Sequence, residues 1–199
     1  MNKPYFIETI KVVDGKFQNL SYHMDRMNNT MISFFNTTMF VELWIGDIPE
    51  KLRTGITKCR ITYSHCDVKV EYERYQYRKI NSLKLMNDNT ISYSFKSANR
   101  DNLNSLLCQR ATCDDILIVK NGYITDTSFS NIVLKKSSSL YTPSTYLLAG
   151  TKRCQLLEQG IIKEVEIKVS DLENFDSLLL INAMIDLDDN QCIDISNII

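Results

Sequence analysis

The sequence predicts an α+β chain folded in two lobes, and three observations carry that expectation. Two β-rich runs meet at Asp14-Gly15 and two more at Asn121-Gly122, dipeptides that supply the positive φ angles of a two-residue hairpin turn. Between and after the hairpins, apolar residues recur near the 3.6-residue period of a helix. The 199 residues suffice for one large domain or two small ones sharing a core.

The elements follow in order. "FIETIKVVDGKFQNL" forms the first hairpin, and a helix runs from about Tyr22 to Phe35 with Met24, Met27, Met31 and Phe34/Phe35 along its apolar stripe. A short helix is expected around Ile48 to Thr54. "KCRITYS" and "VKVEYERYQY" read as strands, the second with the alternation of a half-exposed one. These make a small α+β domain over residues 1–80. "INSLKL" and "TISYSF" follow as strands; in the latter Ile91, Tyr93 and Phe95 face one way and Ser92, Ser94 and Lys96 the other. Ser97 or Asn99 is placed to cap a helix carrying Leu103, Leu106, Leu107 and Ala111 on one face. "DILIVKNGYITD" is the second hairpin, and "NIVLKK" and "SLYTP" are short strands. A helix starts after Gly150 and ends at Gly160. "KEVEIKV" and "SLLLINAMI" are strands again, the last apolar enough to be central and buried on both faces. Residues 81–199 make the larger part.

Composition narrows the function classes. Hydrophobic residues are 44% of the chain, with no apolar run of the roughly eighteen residues a membrane helix needs. "MNKPYFIETIKV" lacks the h-region of a signal peptide and no lipidation pattern stands at either end, so a cytoplasmic protein is expected. A net charge of −1 with scattered basic residues gives no support to nucleic-acid binding. The six cysteines form no C-x-x-C pair and read as reduced structural thiols, and two histidines leave no histidine-rich metal site. G-x-S-x-G, G-x-G-x-x-G and the P-loop are all missing.

Four constellations carry candidate chemistry. Lys96 stands at the seam between an alternating segment and a helix; a desolvated lysine there is a nucleophile, although its neighbourhood alone favours a snorkelling surface residue. Asp126 in "YITDTSFSNIVL" precedes hydroxylic residues and Asn131, donors that keep a carboxylate ionised against a protonated ring nitrogen; an Asx turn is the plainer alternative. In "YLLAGTKRCQLLEQG", Gly150 permits close backbone approach and the amides of Thr151 and Lys152 open a helix, a cradle for phosphate or an ordinary helix start. Arg26 in "YHMDRMNNT" has the planar fork that binds phosphate, or lies on a solvated helix face. Together they are the kit for pyridoxal 5′-phosphate, whose aldehyde, ring nitrogen and phosphate each need a partner.

In that order the motifs resemble the class IV aminotransferase family, the fold type IV pyridoxal-phosphate enzymes. "FIETIKVVDGKFQNLSYHMDRM" is similar to the family's opening strand pair and H-x-x-R-[LM] helix, and "FKSANR" to its lysine motif. "DDILIVKNGYITDTSFSNIVL" resembles the D-E-x-L…G-x-V-T-E-x-x-x-x-N signature, and "YTPSTYLLAGTKRCQLL" the T-P-x-x-x-x-L-x-G-I-T-R segment. The resemblance implies a two-lobed fold like D-amino acid aminotransferase, shortened, with residues 81–199 forming a cofactor-binding, α/β-barrel-like domain. It makes Lys96 the lysine that binds the cofactor and shuttles the proton. Asp126 falls where the family usually has glutamate at the ring nitrogen, and Lys152 where threonine is usual. Arg26 and the Thr151 and Lys152 amides would hold the phosphate, helped by Asn182 and Ala183, with Asn131 structural beside them.

Within the family, "KSANR" and "INAM" are most similar to the lyases that convert 4-amino-4-deoxychorismate to 4-aminobenzoate and pyruvate for folate synthesis. Arg100, one helical turn past Lys96, is the candidate for a substrate carboxylate. An aminotransferase on branched-chain or D-amino acids with 2-oxoglutarate, and a non-catalytic member of the fold, stay open at this stage. The resemblance also implies a homodimer acting on a small amino substrate, while composition leads us to expect no metal, nucleic-acid or membrane partner.

Overall fold

The computed structural model describes residues 4–38, 47–189 and 192–199. Contacts divide the chain into two units, Met1–Tyr77 with Phe95–Asn99, and Arg78–Ser94 with Arg100–Ile199.

The first unit is an antiparallel sheet in the order β2-β1-β3-β4, formed by β1 (Phe6–Val13), β2 (Lys16–Phe17), β3 (Ile56–Tyr63) and β4 (Val68–Arg74). The β1–β2 turn is the expected hairpin: Asp14 and Gly15 both take positive φ, 47° and 77°. Along β3 every second residue is buried, and Cys59, Ile61 and Tyr63 meet Phe6, Ile10 and Val12 of β1 in one core. Helix α1 (Leu20–Phe35) closes this core with Met27 and Met31, Met24 and Phe35 packing partly buried against it. It begins two residues before the expected Tyr22, because Asn19 in the left-handed region starts the turn. Around Ile48 to Thr54 only a 3₁₀ turn, Glu50–Leu52, forms. Gly55 follows at φ 70° and the chain goes straight into β3, which leaves no room for a full helical turn.

The second unit is layered. A three-stranded sheet, β5-β6-β7 (Leu83–Asn87, Asp115–Lys120, Tyr123–Thr127), shares a core with a five-stranded sheet, β10-β9-β8-β11-β12. The strands of the latter are β8 (Asn131–Lys136), β9 (Ser139–Pro143), β10 (Lys163–Val165), β11 (Ser177–Ile181) and β12 (Cys192–Asp194). Leu117, Val119 and Ile124 of the first sheet meet Ile132, Leu134, Leu178 and Leu180 of the second. The opposite faces are also covered. Ile116 and Ile118 pack on Leu103 and Leu106 of α2 (Asp101–Leu107), and Val133 and Ile181 on Leu156 of α3 (Thr151–Glu158). Hence β6, β8 and β11 are near-continuous apolar runs: each buries both faces. The second hairpin turns at Asn121-Gly122 with φ 53° and 83°, as its sequence requires. Helix α3 ends in a Schellman pair, Gly160 N–H to the Leu157 carbonyl (3.0 Å) and Ile161 N–H to that of Leu156 (2.9 Å).

Three expectations around Lys96 fail. "TISYSF" is not a strand but irregular chain with bends at Thr90, Ser94 and Phe95, and the isolated bridge that follows, Phe6 to Ser97, lies beyond it. Its alternation survives as burial, Ile91 buried and Ser92 and Ser94 exposed, because alternation reports which side meets the core and not whether a neighbouring strand is there to pair. Neither Ser97 nor Asn99 caps α2: the Ser97 hydroxyl accepts the Asn99 N–H (3.1 Å), closing a local turn, and Arg100 holds the cap position. Ala111 lies beyond the helix, exposed in a left-handed turn at φ 55°.

Candidate active site

In the first unit, Lys96 is positioned by its backbone. Its carbonyl accepts the Ile7 N–H (2.9 Å), and Ala98 N–H donates to the Tyr5 carbonyl (2.8 Å), so the chain on both sides of Lys96 is stitched to the start of β1. The lysine is half-buried. Arg26, on α1, donates through Nε to Oε1 of Glu8 and through Nη2 to Oε2, both at 2.7 Å. His23, one helical turn earlier, places Nδ1 2.7 Å from the same Oε2. Glu8 is fully buried. Burial pushes its carboxyl up, but the Arg26 charge and the His23 hydrogen bond outweigh that and hold it at about 2. Glu8 and His23 escaped the sequence reading, yet a signal existed. Glu8 shares the alternating face of β1 with Phe6, Ile10 and Val12, all core residues, and a carboxylate on such a face requires a buried cation.

In the second unit, Asp126 ends near the close of β7, at 5% exposure. Oδ2 accepts the backbone N–H groups of Leu147 and Leu148, each at 3.0 Å, and Oδ1 accepts the Asn131 side-chain amide at 2.8 Å. Amides, not hydroxyls, therefore fix it. Burial raises its pKa to about 6, with these donors and the Arg153 charge pulling the other way. The Asn131 amide also donates to the Leu148 carbonyl at 2.9 Å. Its Oδ1 lies so near Gly150 that a Cβ there would stand 1.9 Å away. Gly150 is the N-cap of α3, its carbonyl accepting from Cys154 N–H (2.9 Å), so the amides of Thr151 and Lys152 precede the helical ladder. Asn182 joins the group by donating to the Ser130 hydroxyl (2.9 Å), while its Oδ1 accepts from Met184 N–H (2.8 Å) and orients the turn containing Ala183.

Asp126, Asn131, Gly150, Thr151 and Asn182 thus form one connected set. Arg100 is tied to its edge: Nη2 donates to the Ser128 carbonyl, and the guanidinium lies 5.5 Å from the Tyr93 ring centroid. The Lys152 ammonium pairs with Asp186 and donates to Gln155 (2.9 Å), so only its backbone remains to serve as the sequence suggested. Arg153 was also missed. Buried at 2% exposure, it donates to the Pro143 carbonyl (2.9 Å), pairs with Glu164 and stacks 4.0 Å from the Tyr146 ring, fastening α3 to the end of β9.

These donor sets suit pyridoxal 5′-phosphate. An amine for an aldehyde and a guanidinium for phosphate lie in the first unit; a carboxylate ionised near neutrality and helix-opening amides for phosphate lie in the second. Each unit by itself thus carries donors of the kinds that this cofactor needs. Residues 5–187 match the amino-transferase class IV family. An uncharacterized protein of Haemophilus influenzae is 34% identical over 180 residues, 89% of this chain and 96% of that one. A proposed 4-amino-4-deoxychorismate lyase of Haemophilus somnus 129PT superposes with a TM-score of 0.80 at 32% identity, covering 92% of this chain and 97% of that one. A hypothetical aminotransferase from Mycobacterium tuberculosis, solved with pyridoxal phosphate bound, shares the fold at a TM-score of 0.75 and 17% identity, over 90% of this chain and 78% of that one. The chain belongs to the class IV aminotransferase family, whose enzymes depend on pyridoxal 5′-phosphate. Its shortened length recurs in the two Haemophilus proteins, which it spans almost completely. Among the described residues no helix is long and apolar enough to cross a membrane, and none of their His, Cys, Asp and Glu side chains form a metal-binding group.

Proposed function

We propose that the protein is a lyase that converts 4-amino-4-deoxychorismate to 4-aminobenzoate and pyruvate. The observation that carries this reading is the likeness to the Haemophilus somnus protein over nearly the full length of both chains. Bound pyridoxal 5′-phosphate supplies an electron sink conjugated to the substrate amine. The Lys96 amine would hold the cofactor aldehyde and, once released from it, would be the base that takes and returns the proton that must move for the enolpyruvyl group to leave. Asp126, fixed by three amide donors, faces the ring nitrogen in its ionised form and keeps that nitrogen protonated. Arg26 and the Thr151 and Lys152 amides hold the phosphate, with the turn at Asn182 and Ala183 beside them; Asn131 keeps Asp126 and Gly150 in register. Arg100 takes a substrate carboxylate with its planar fork.

The test is incubation of cofactor-loaded protein with aminodeoxychorismate. Formation of 4-aminobenzoate and pyruvate in equal amounts supports the assignment, and formation of neither defeats it. Conversion of the bound cofactor to its pyridoxamine form by a branched-chain or D-amino acid, reversed by 2-oxoglutarate, would make the protein an aminotransferase instead. Work in the cytoplasm as a homodimer completes the reading. Ile32 and Phe34, at 50% and 46% exposure on α1, supply apolar surface for a second copy, and sedimentation of the full chain checks the stoichiometry.

A further inference from the structure

The buried cluster of Glu8, His23 and Arg26 asks why a carboxylate stands in an apolar core. Glu8 lies on β1 among Phe6, Ile10 and Val12, wholly shielded from water. A buried ion pair gains little over apolar side chains of the same volume, because desolvation consumes most of the attraction. Stability alone therefore does not account for it. Geometry does. The carboxylate grips the Nε and Nη2 edge of Arg26 with two bonds of 2.7 Å, and His23 Nδ1 holds the same carboxylate from one helical turn away. Two parallel bonds to a rigid partner fix the plane of the guanidinium, which otherwise rotates about four side-chain torsions. The backbone below is tied as well, the Thr30 hydroxyl donating to the Arg26 carbonyl at 2.9 Å.

We infer that Glu8 is a positioning residue for phosphate recognition: it presets the Arg26 guanidinium in the plane that receives the cofactor's phosphate, and His23 steadies Glu8. This rests on the assignment of Arg26 to the phosphate. Glu8 touches no ligand itself, so its effect is confined to the phosphate group and passes entirely through Arg26.

The experiment compares binding of pyridoxal 5′-phosphate and of phosphate-free pyridoxal to the apoprotein, by titration of the visible band. The proteins are the parent chain, Glu8→Gln, Arg26→Met and the double variant. In Glu8→Gln the phosphate ester loses on the order of tenfold or more in affinity, the scale of a charge-assisted hydrogen bond, while pyridoxal stays within about twofold. Arg26→Met shows the same selective loss, and adding Glu8→Gln to it causes no further change in the ratio of the two affinities. If Glu8→Gln weakens both ligands equally, or neither, Glu8 is structural and the inference falls. If the double variant loses more discrimination than Arg26→Met, Glu8 acts independently and the inference falls. An unaltered ratio in Arg26→Met overturns the phosphate role of Arg26 itself. Should Glu8→Gln leave a misfolded chain, Glu8→Asp takes its place: it keeps the charge but draws the carboxylate one methylene away from Arg26, and unless it shows the same selective loss of the phosphate ester the inference falls.

Discussion

Gly150→Ala isolates the packing of Gly150 against Asn131 in one methyl group. Gly150 sits at φ −69° and ψ 137°, an extended conformation that alanine adopts without strain, so any cost comes from contact. The new Cβ would stand 1.9 Å from Asn131 Oδ1 and 3.1 Å from its Cγ, and the side chain must swing away. Doing so breaks its bonds to Asp126 (2.8 Å) and to the Leu148 carbonyl (2.9 Å). One of these is to a buried carboxylate and one is neutral, which sums to about 2–4 kcal/mol. Urea unfolding of the apoprotein measures the loss, and a titration with pyridoxal phosphate measures the accompanying fall in affinity. Asn131→Ala provides the control, because it removes the same bonds and the obstructing oxygen. In that background Gly150→Ala should cost less than about 1 kcal/mol, so the two changes together cost far less than their sum. Full additivity, or a parent-like Gly150→Ala, would refute the account of Asn131 as the side chain that requires glycine.

Other consequences are as direct. The raised pKa of Asp126, about 6 against an ordinary 3.8, means that between those values the folded protein keeps a proton the unfolded chain has released. Stability of the apoprotein from this group therefore falls as pH rises through that window, by roughly 1–2 kcal/mol between pH 5 and 7, and Asp126→Asn should remove that part of the urea-midpoint dependence. Glu8 has the opposite sign: its lowered pKa contributes stability above its ordinary 4.5 that is lost toward about 2, outside the window used for Asp126. Lys96→Ala should abolish the visible band of bound cofactor, and an unchanged band would remove Lys96 from its role. Arg100→Met should raise KM for aminodeoxychorismate about tenfold or more with a smaller change in kcat, as expected for a lost carboxylate contact.

Both hairpins were legible because Asp-Gly and Asn-Gly state their turn geometry locally. Double burial was legible in "SLLLI", which has no polar face to offer water; "ILIV" and "NIVL" were legible only as strands, because the helices that cover their second faces lie elsewhere along the chain. Lys96, Asp126, Asn131 and Gly150 could be picked out only by their order along the chain, since each alone suits an ordinary turn or surface position. What stayed hidden depends on distant partners. No spacing rule announces that Asp126 meets the amides of Leu147 and Leu148, or that Asn182 reaches Ser130 across 52 residues. "TISYSF" has the rhythm of a strand, and only the tertiary structure shows that no ladder runs beside it. Glu8 was the one hidden residue with a local clue, its charge on an apolar face.

The strand β8 begins at Asn131 and continues into Ile132, Val133 and Leu134, each with no exposed surface. Its amides therefore have no local route to solvent, and their hydrogen exchange must wait for the second unit to open as a whole. A cofactor that engages Asp126 and Asn131 at the head of this strand should slow that exchange by the same factor at all three amides. The strand would thus report occupancy of the site as a protection factor, with no label or chromophore near the chemistry.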